Sequence, residues 1–455
     1  MPASLFDSSY YADQFSAPVM RAVFSDEARF ASWLMFEAAL ARAQASVGVI
    51  PASAAAAITE AARVENLDPA AMKAQFDKVG FAIVPLVAAL RAACPPEAAR
   101  HVHWGATSQD VLDTGLVLQM REGLRRIESD LVAVIETLAG LAGRYRDTPM
   151  AGRTFQQHAA PITFGYKVAG WLDEALRHHA RLPALKERLL AVQFGGAVGT
   201  LAVLGDRGAV VRAALARELG LRDPDITWHT GRDTFAEAVF WLAGLGGLLG
   251  RIATEVAMLM RTEVAEAREP HEPGRGGSSA MPQKRNPVAS PQIVAIATRL
   301  RWLVGQAMES QVQEHERGIA AMPVEWMVIP ESFLLASGAL AHARPMLAGL
   351  EVDESRMRAN LDIGGGVIMA EAAMAGLAPH LGRARAQTLV TEAAGHAIDA
   401  GLDLRDALRS RPEVTAHLDD AALARILEPV NFTGSAGAMV DAVLDRAAQA
   451  GFAGS

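Results

Sequence analysis

The chain has 455 residues, 51% of them hydrophobic and 21% charged, a balance that suits a folded globular protein and excludes a disordered one. This length is too great for one small core and predicts two or three domains, or one very elongated one. A net charge of −8 argues against nucleic acid as the main partner but leaves room for a local basic pocket.

The N-terminal stretch MPASLFDSSYYADQF has no basic region and no apolar core, so it does not read as a secretory signal. Ser25 reads as a helix N-cap with Asp26 and Glu27 in the first turn. Phe30, Trp33, Leu34 and Leu40 then recur at helical spacing until Gly48. Cys94 is the single cysteine; it can form no internal disulfide, and a reducing cytoplasm is expected. Long helices are expected over 112–144, 164–190, 234–261 and 290–316, with Pro183 a possible kink or break. A 28-residue helix is about 42 Å long. The most apolar run, Ala238 to Gly250, falls short of the ~20 residues of a membrane span and reads as a buried segment. The region 234–261 is apolar around much of its circumference, which calls for burial on several sides. Four such helices exceed what one subunit of this size can cover, so a bundle completed by other subunits is expected. Shorter helices broken by glycines follow, with Ile363-Gly364-Gly365-Gly366 as a junction. No alternating strand pattern stands out. The chain is therefore expected to be all-α, with domains near 1–110, 111–352 and 353–455.

Four polar islands interrupt the helical pattern: HVHWGATSQDVLDT from His101, AGRTFQQHAAPITFG from Ala151, WHTGRDTFAE from Trp228, and GGSSAMPQKRNP from Gly276 to Pro287. Each lies near the end of an expected long helix and is rich in hydrogen-bond donors. Backbone N–H groups at helix starts and glycine turns favour anions. Thr107, Ser108, Thr154, Gln157 and Asn286 add neutral donors; Lys284, Arg153 and Arg232 add charge. Arg153 and Arg232 have an alternative as structural ion-pair partners, and Thr154 as a helix cap. Only five of the 43 basic residues are lysines, so a lysine inside a Gly/Ser/Pro loop stands out. His101, His103, His158 and His229 include an H-x-H pair. There is no H-E-x-x-H and no acidic cluster at ligand spacing, so no metal and no cofactor are expected.

The G-S-S-A-M-P-x-K-x-N-P of Gly277 to Pro287 resembles the signature loop of the fumarase/aspartase superfamily, and T-S-Q-D and R-T-x-x-Q match in the expected order. The resemblance covers nearly the whole chain. It implies a three-domain, all-α fold and a homotetramer with a central long-helix bundle. It also implies active sites shared between subunits and β-elimination, or its reverse, beside a carboxylate. The first loop serine, Ser278, is then the acid/base, and Ser279, Met281, Lys284 and Asn286 contact the substrate. A serine alkoxide needs stabilisation, which loop N–H groups and Lys284 can give.

One position separates branches of the superfamily. The adenylosuccinate-lyase branch reads R-T-H-G-Q, with the histidine as the acid for a departing nitrogen; here Phe155 stands there. The stretch GIAAMPVEW, Gly318 to Trp326, also lacks that branch's hydroxyls. A carboxylate, with a conjugate acid pKa of about 4, leaves without an acid. The chain thus resembles the branch that lactonises a carboxymuconate, with Gln156, Gln157 and His158 following Phe155 and W-H-T-x-R-D from Trp228. That resemblance implies a small polycarboxylate substrate bound near Lys284, Arg232, His229 and His103, with His103 or His158 assisting Ser278. Neither nucleic acid nor a membrane is an expected partner. An adenylosuccinate-lyase-type elimination is the alternative reading, and an inactive helical scaffold is a more distant one.

Overall fold

Ser25 opens the first long helix as the sequence predicts. Its hydroxyl accepts the Ala28 N–H at 3.2 Å, and the helix runs Asp26–Ser46. The computed structural model describes residues 4–452 except Pro273, Arg275, Ser278 and Ser279. The long helices lie at Ser108–Arg144, Phe164–Leu189, Asp233–Leu259, Ala289–Glu309 and Ala321–Ala348. Four of these match expectation within a turn or two. Pro183 sits inside Phe164–Leu189 without ending it, because buried Leu182 and Leu185 hold the helix to the core across the lost hydrogen bond. The fifth, Ala321–Ala348, escapes sequence reading because Pro323, Pro330 and Pro345 punctuate it. Pro323 falls in the first turn, where a missing N–H is harmless.

The all-α expectation holds apart from two small strand pairs, the shorter joining Ala267–Arg268 to Glu351–Val352. Pro149–Thr154 and Gln157–Thr163 form an antiparallel hairpin with an irregularity between Ala151 and Arg153. Gly152 and Pro161 break the alternation that would reveal these strands. Gly152 is required, since a Cβ there would lie 2.7 Å from the Ala160 carbonyl oxygen.

The chain divides into two units that interleave along the sequence. The first comprises Met1–Asp130, His178–Leu249 and Ala295–Ala341. Its core joins Trp33, Phe36 and Leu40 with Ile58, Leu86, Leu90, Val111, Phe194 and Leu215. The second comprises Leu131–Arg177, Gly250–Val294 and His342–Ser455. There Leu361, Met369, Leu377, Leu389, Leu404 and Leu408 form a core beneath the helices Ala370–Leu381 and Arg383–Ala400. Two helices, Asp233–Leu259 and Ala321–Ala348, have the length and hydropathy to cross a membrane, but 61% of each apolar window is buried within the protein. The Ala238 to Gly250 run is thus a core segment.

Gly364, Gly365 and Gly366 all take left-handed φ values, 80°, 69° and 69°, which is why three glycines stand together. A Cβ on Gly365 would also meet the Leu402 carbonyl oxygen at 2.5 Å, whereas one on Gly364 would meet nothing nearer than Val367 at 3.6 Å. Gly365→Ala is expected to destabilise by roughly 2–4 kcal/mol, strain plus overlap, and Gly364→Ala by about 1 kcal/mol from strain alone. Thermal unfolding of the two variants checks the difference.

Candidate functional site

The candidate residues fall into two groups, one in each unit. In the first unit, Ser108 is the first residue of a 37-residue helix, and the T-S-Q-D island forms its start. Asp110 reaches back to accept the Thr107 N–H at 2.9 Å, the acidic half of a capping box. The same carboxylate, fully buried, accepts the Gly195 and Gly196 N–H groups at 2.9 and 3.0 Å and lies 2.7 Å from His229 Nε2. His229 is therefore buried, and its carbonyl accepts from Gln109 Nε2 at 2.8 Å. Arg317 donates to Gln109 Oε1 at 2.7 Å and to the Ala197 carbonyl at 3.1 Å. The structure thus ties Thr107 and His229 into one network centred on Asp110, with Ser108 beside Thr107 at the helix start. Thr107 and Ser108 remain half-buried.

Arg232 is also in this unit, with its charge already matched. Its guanidinium donates to both oxygens of Asp113, at 2.8 and 2.9 Å, and to both oxygens of Glu325. It lies over the Trp228 and Phe235 rings, 5.3 and 4.7 Å from their centroids. The side chain is 1% exposed. Burial opposes its charge, but the two carboxylates outweigh burial and hold the guanidinium firmly protonated. Two acids against one base leave an excess negative charge, and burial pushes the Glu325 carboxyl up against the opposing pull of Arg232. His103 completes the group: its Nδ1 lies 2.6 Å from Glu37 Oε1.

In the second unit the hairpin carries four candidates. Arg153 faces His158 and Thr154 faces Gln157 across the strands. Phe155 and Gln156 form the two-residue tip with φ 48° and 63°, the primed turn that fits strand twist. Neither is glycine, and Phe155 is fully exposed. Thr154 and Gln157 are exposed as well. Arg153 forms a two-pronged pair with buried Glu266 at 2.7 and 2.8 Å, and Asn360 donates to the same carboxylate at 2.8 Å. Burial and the Arg153 charge together lower the His158 pKa, against a weaker pull from Glu266.

The signature loop begins and ends at fixed points. Asn286 donates its backbone N–H and its side-chain Nδ2 to the Gly276 carbonyl, at 3.0 and 3.1 Å. Gly276 has φ 68°, and a Cβ there would meet the Asn286 carbonyl oxygen at 2.6 Å. Gly277 and Arg285 form an isolated antiparallel bridge. Arg285 pairs with Glu351 at 2.7 and 2.9 Å. Below the loop, Glu269 accepts the Val288, Ala289 and Ser290 N–H groups at 2.8, 2.9 and 2.8 Å, and the Ser290 hydroxyl at 2.6 Å. It caps the Ala289–Glu309 helix from outside the helix. Met281 and Lys284 are exposed. Ser278 and Ser279 lie outside the described residues. Among the described residues, no group of three or more His, Cys, Asp or Glu side chains could hold a metal ion.

Glu37, Asp113, Glu266, Glu269 and Glu325 are acids beside the candidate residues that the sequence does not single out. Of the anchoring acids, Asp110 has a local signal that could have found it, a Thr-x-x-Asp pattern ahead of an apolar run.

Residues 13–301 match the family model described as "Lyase", and residues 366–443 match "Adenylosuccinate lyase C-terminus". A 3-carboxy-cis,cis-muconate cycloisomerase of Pseudomonas aeruginosa is 46% identical, over 99% of this chain and 98% of its own length. One from Bradyrhizobium diazoefficiens is 44% identical, over 96% and 98%. The crystal structure of the 3-carboxy-cis,cis-muconate lactonizing enzyme from Pseudomonas putida superposes with a TM-score of 0.92 at 42% identity, covering 97% of this chain and 99% of that one.

Glu269 is nearly inaccessible. Burial alone would raise its pKa, but the hydrogen bonds from Ser290, Ala289 and Val288 prevail and lower it. A depressed folded pKa gives stability that is present above the ordinary carboxylate range and is lost as pH falls through the folded value. Glu269→Gln is therefore expected to lose about 1–3 kcal/mol near neutral pH. That gap should close in acid, as melting curves across pH would show.

Proposed function

This chain belongs to the lyase family of the fumarase/aspartase superfamily, and from that premise we propose that it lactonises 3-carboxy-cis,cis-muconate to 4-carboxymuconolactone, a step of protocatechuate degradation. The observation that carries the choice of reaction is Phe155 at the hairpin tip, where the nitrogen-eliminating branch of the superfamily places its acid. A phenyl ring transfers no proton. In the lactonising direction a substrate carboxylate oxygen adds to a conjugated double bond, forming the ring C–O bond. The electron pair moves to the carbon beside a second carboxylate and is held as an aci-carboxylate. Ser278 then delivers a proton to that carbon. In reverse, the leaving group is a carboxylate, which departs without protonation.

The remaining roles follow from chemical character. Lys284 is exposed and forms no ion pair among the described residues, so its ammonium is available to a substrate carboxylate and to the Ser278 alkoxide. Thr107, Ser108, Thr154, Gln157 and Ser279 serve as neutral donors, and Met281 as an apolar contact. His158, disposed toward its neutral form, acts as a hydrogen-bonding partner rather than a charge. Arg153, His229, Arg232 and Asn286 support the site through Glu266, Asp110, Asp113 with Glu325, and Gly276. The reaction uses no cofactor.

The acting form is a homotetramer with each active site drawn from several subunits. Its support is the exposed apolar side chains on the long helices, where Phe240, Trp302, Met308 and Met327 are 64%, 69%, 54% and 63% exposed and would be covered by neighbouring subunits. The single, buried Cys94 suits a reducing cytoplasm.

Ultraviolet absorbance tests the reading, because lactonisation breaks the conjugated diene. The wild type should consume 3-carboxy-cis,cis-muconate rapidly. Ser278→Ala should lose roughly 10³-fold or more in kcat while melting normally, and Lys284→Met should raise KM. Cleavage of adenylosuccinate in a parallel cuvette, with no loss of the diene, would overturn the reading.

A further inference from the structure

The 101–104 turn is gripped by one face of the Asp26–Ser46 helix. Glu37 and Gln44 stand two turns apart on that helix, and both are buried. Glu37 Oε1 meets His103 Nδ1 at 2.6 Å, and Gln44 Nε2 donates to the Trp104 carbonyl at 2.7 Å. His103 is held at φ 64°, a left-handed conformation that non-glycine residues adopt at a cost. A rigid helix thus fixes both the backbone and the ring of this histidine.

We propose that Glu37 is a positioning residue that holds His103 as an imidazolium, so that its Nε2–H binds a carboxylate of the substrate. This assignment rests on the lactonisation reading above. The Glu37 side chain has no exposure, and its Oε2 has no hydrogen-bond partner. A buried carboxylate bonded through one oxygen persists only against a counter-charge, and His103 is the group in contact. Burial works against the imidazolium, as does the Arg91 charge, but Glu37 and Asp110 outweigh them and raise the His103 pKa. His101, two residues away, leaves its Nε2 buried and without a partner. With Nδ1 committed to Glu37, Nε2 is the ring nitrogen left for a ligand. His103 is then an anion-binding group rather than a base.

Kinetics and direct titration together test this. KM and kcat for 3-carboxy-cis,cis-muconate are measured from about pH 6 to about pH 9, across the histidine range, for wild type, Glu37→Gln and Glu37→Asp. The His103 resonance is followed by NMR in protein carrying labelled histidine. In Glu37→Gln the His103 titration should move to lower pH. KM should rise roughly tenfold near pH 8 and recover near pH 6, with kcat within about threefold of wild type. Glu37→Asp should restore part of the alkaline-side affinity. A KM profile parallel to wild type at every pH, or a His103 titration indifferent to Glu37, overturns the proposal. Should Glu37→Gln not fold, Glu37→Asp and the wild-type titration decide, since a wild-type His103 with an ordinary or lowered pKa also overturns it. Failure of the wild type to consume the substrate would sink the lactonisation reading instead, while the titration would still judge the Glu37–His103 pair.

Discussion

A carboxylate taken out of water must be matched by donors or by a cation, and in this protein each polar island is held in place by one. Asp110 gathers three backbone N–H groups and His229. Glu266 takes the Arg153 fork and the Asn360 amide. Asp113 and Glu325 flank Arg232, and Glu269 collects the first turn of the helix that follows the signature loop. These acids act as pins. Removing one partner of such a pair leaves an uncompensated buried charge, so each island keeps a single arrangement.

The signature loop shows what the pins achieve. Its two ends meet where Asn286 holds the Gly276 carbonyl; Arg285, just before it, donates to the Glu269 carbonyl, and the Glu269 carboxylate fixes the chain just beyond. Between those anchors, the residues from Ala280 to Lys284 are exposed. In the proposed reaction, a fixed base under an accessible crown would let the loop meet a substrate from a constant origin. Gly276 is part of the base as much as a source of freedom, because its left-handed φ and the 2.6 Å approach of the Asn286 carbonyl oxygen exclude any side chain.

Much of this was legible from the sequence, for identifiable reasons. The long helices carry wide apolar faces, so periodicity located four of them closely, and the loop motif was specific enough to name the superfamily. Prolines hid the fifth helix, and a glycine and a proline hid the hairpin. The anchoring acids were illegible for another reason. Glu266 lies 113 residues from Arg153, Glu325 lies 93 from Arg232, and Glu37 lies 66 from His103. A lone acid in the sequence looks the same whether it faces solvent or a distant arginine. Sequence reading therefore found the donors without the groups that aim them.

That distinction changes how a tricarboxylate would be bound. Arg153 and Arg232 read in sequence either as partners for substrate charge or as structural ion-pair partners, and within the fold both are paired with acids. Among the candidate residues, the charged donors proposed for the substrate are then Lys284 and the Nε2–H of His103, whose own charge Glu37 matches; the other proposed contacts are hydroxyls, amides and backbone N–H groups. Such a balance favours catalysis. Full counter-charges on all three carboxylates would stabilise the bound substrate as much as the transition state and leave the barrier unchanged. Neutral donors fixed by buried acids respond most to the one carboxylate that gains charge as the aci-carboxylate forms. In the proposed reaction, the arginines thus serve best by being spent elsewhere: they hold the walls, and the weaker donors on those walls discriminate between ground state and transition state.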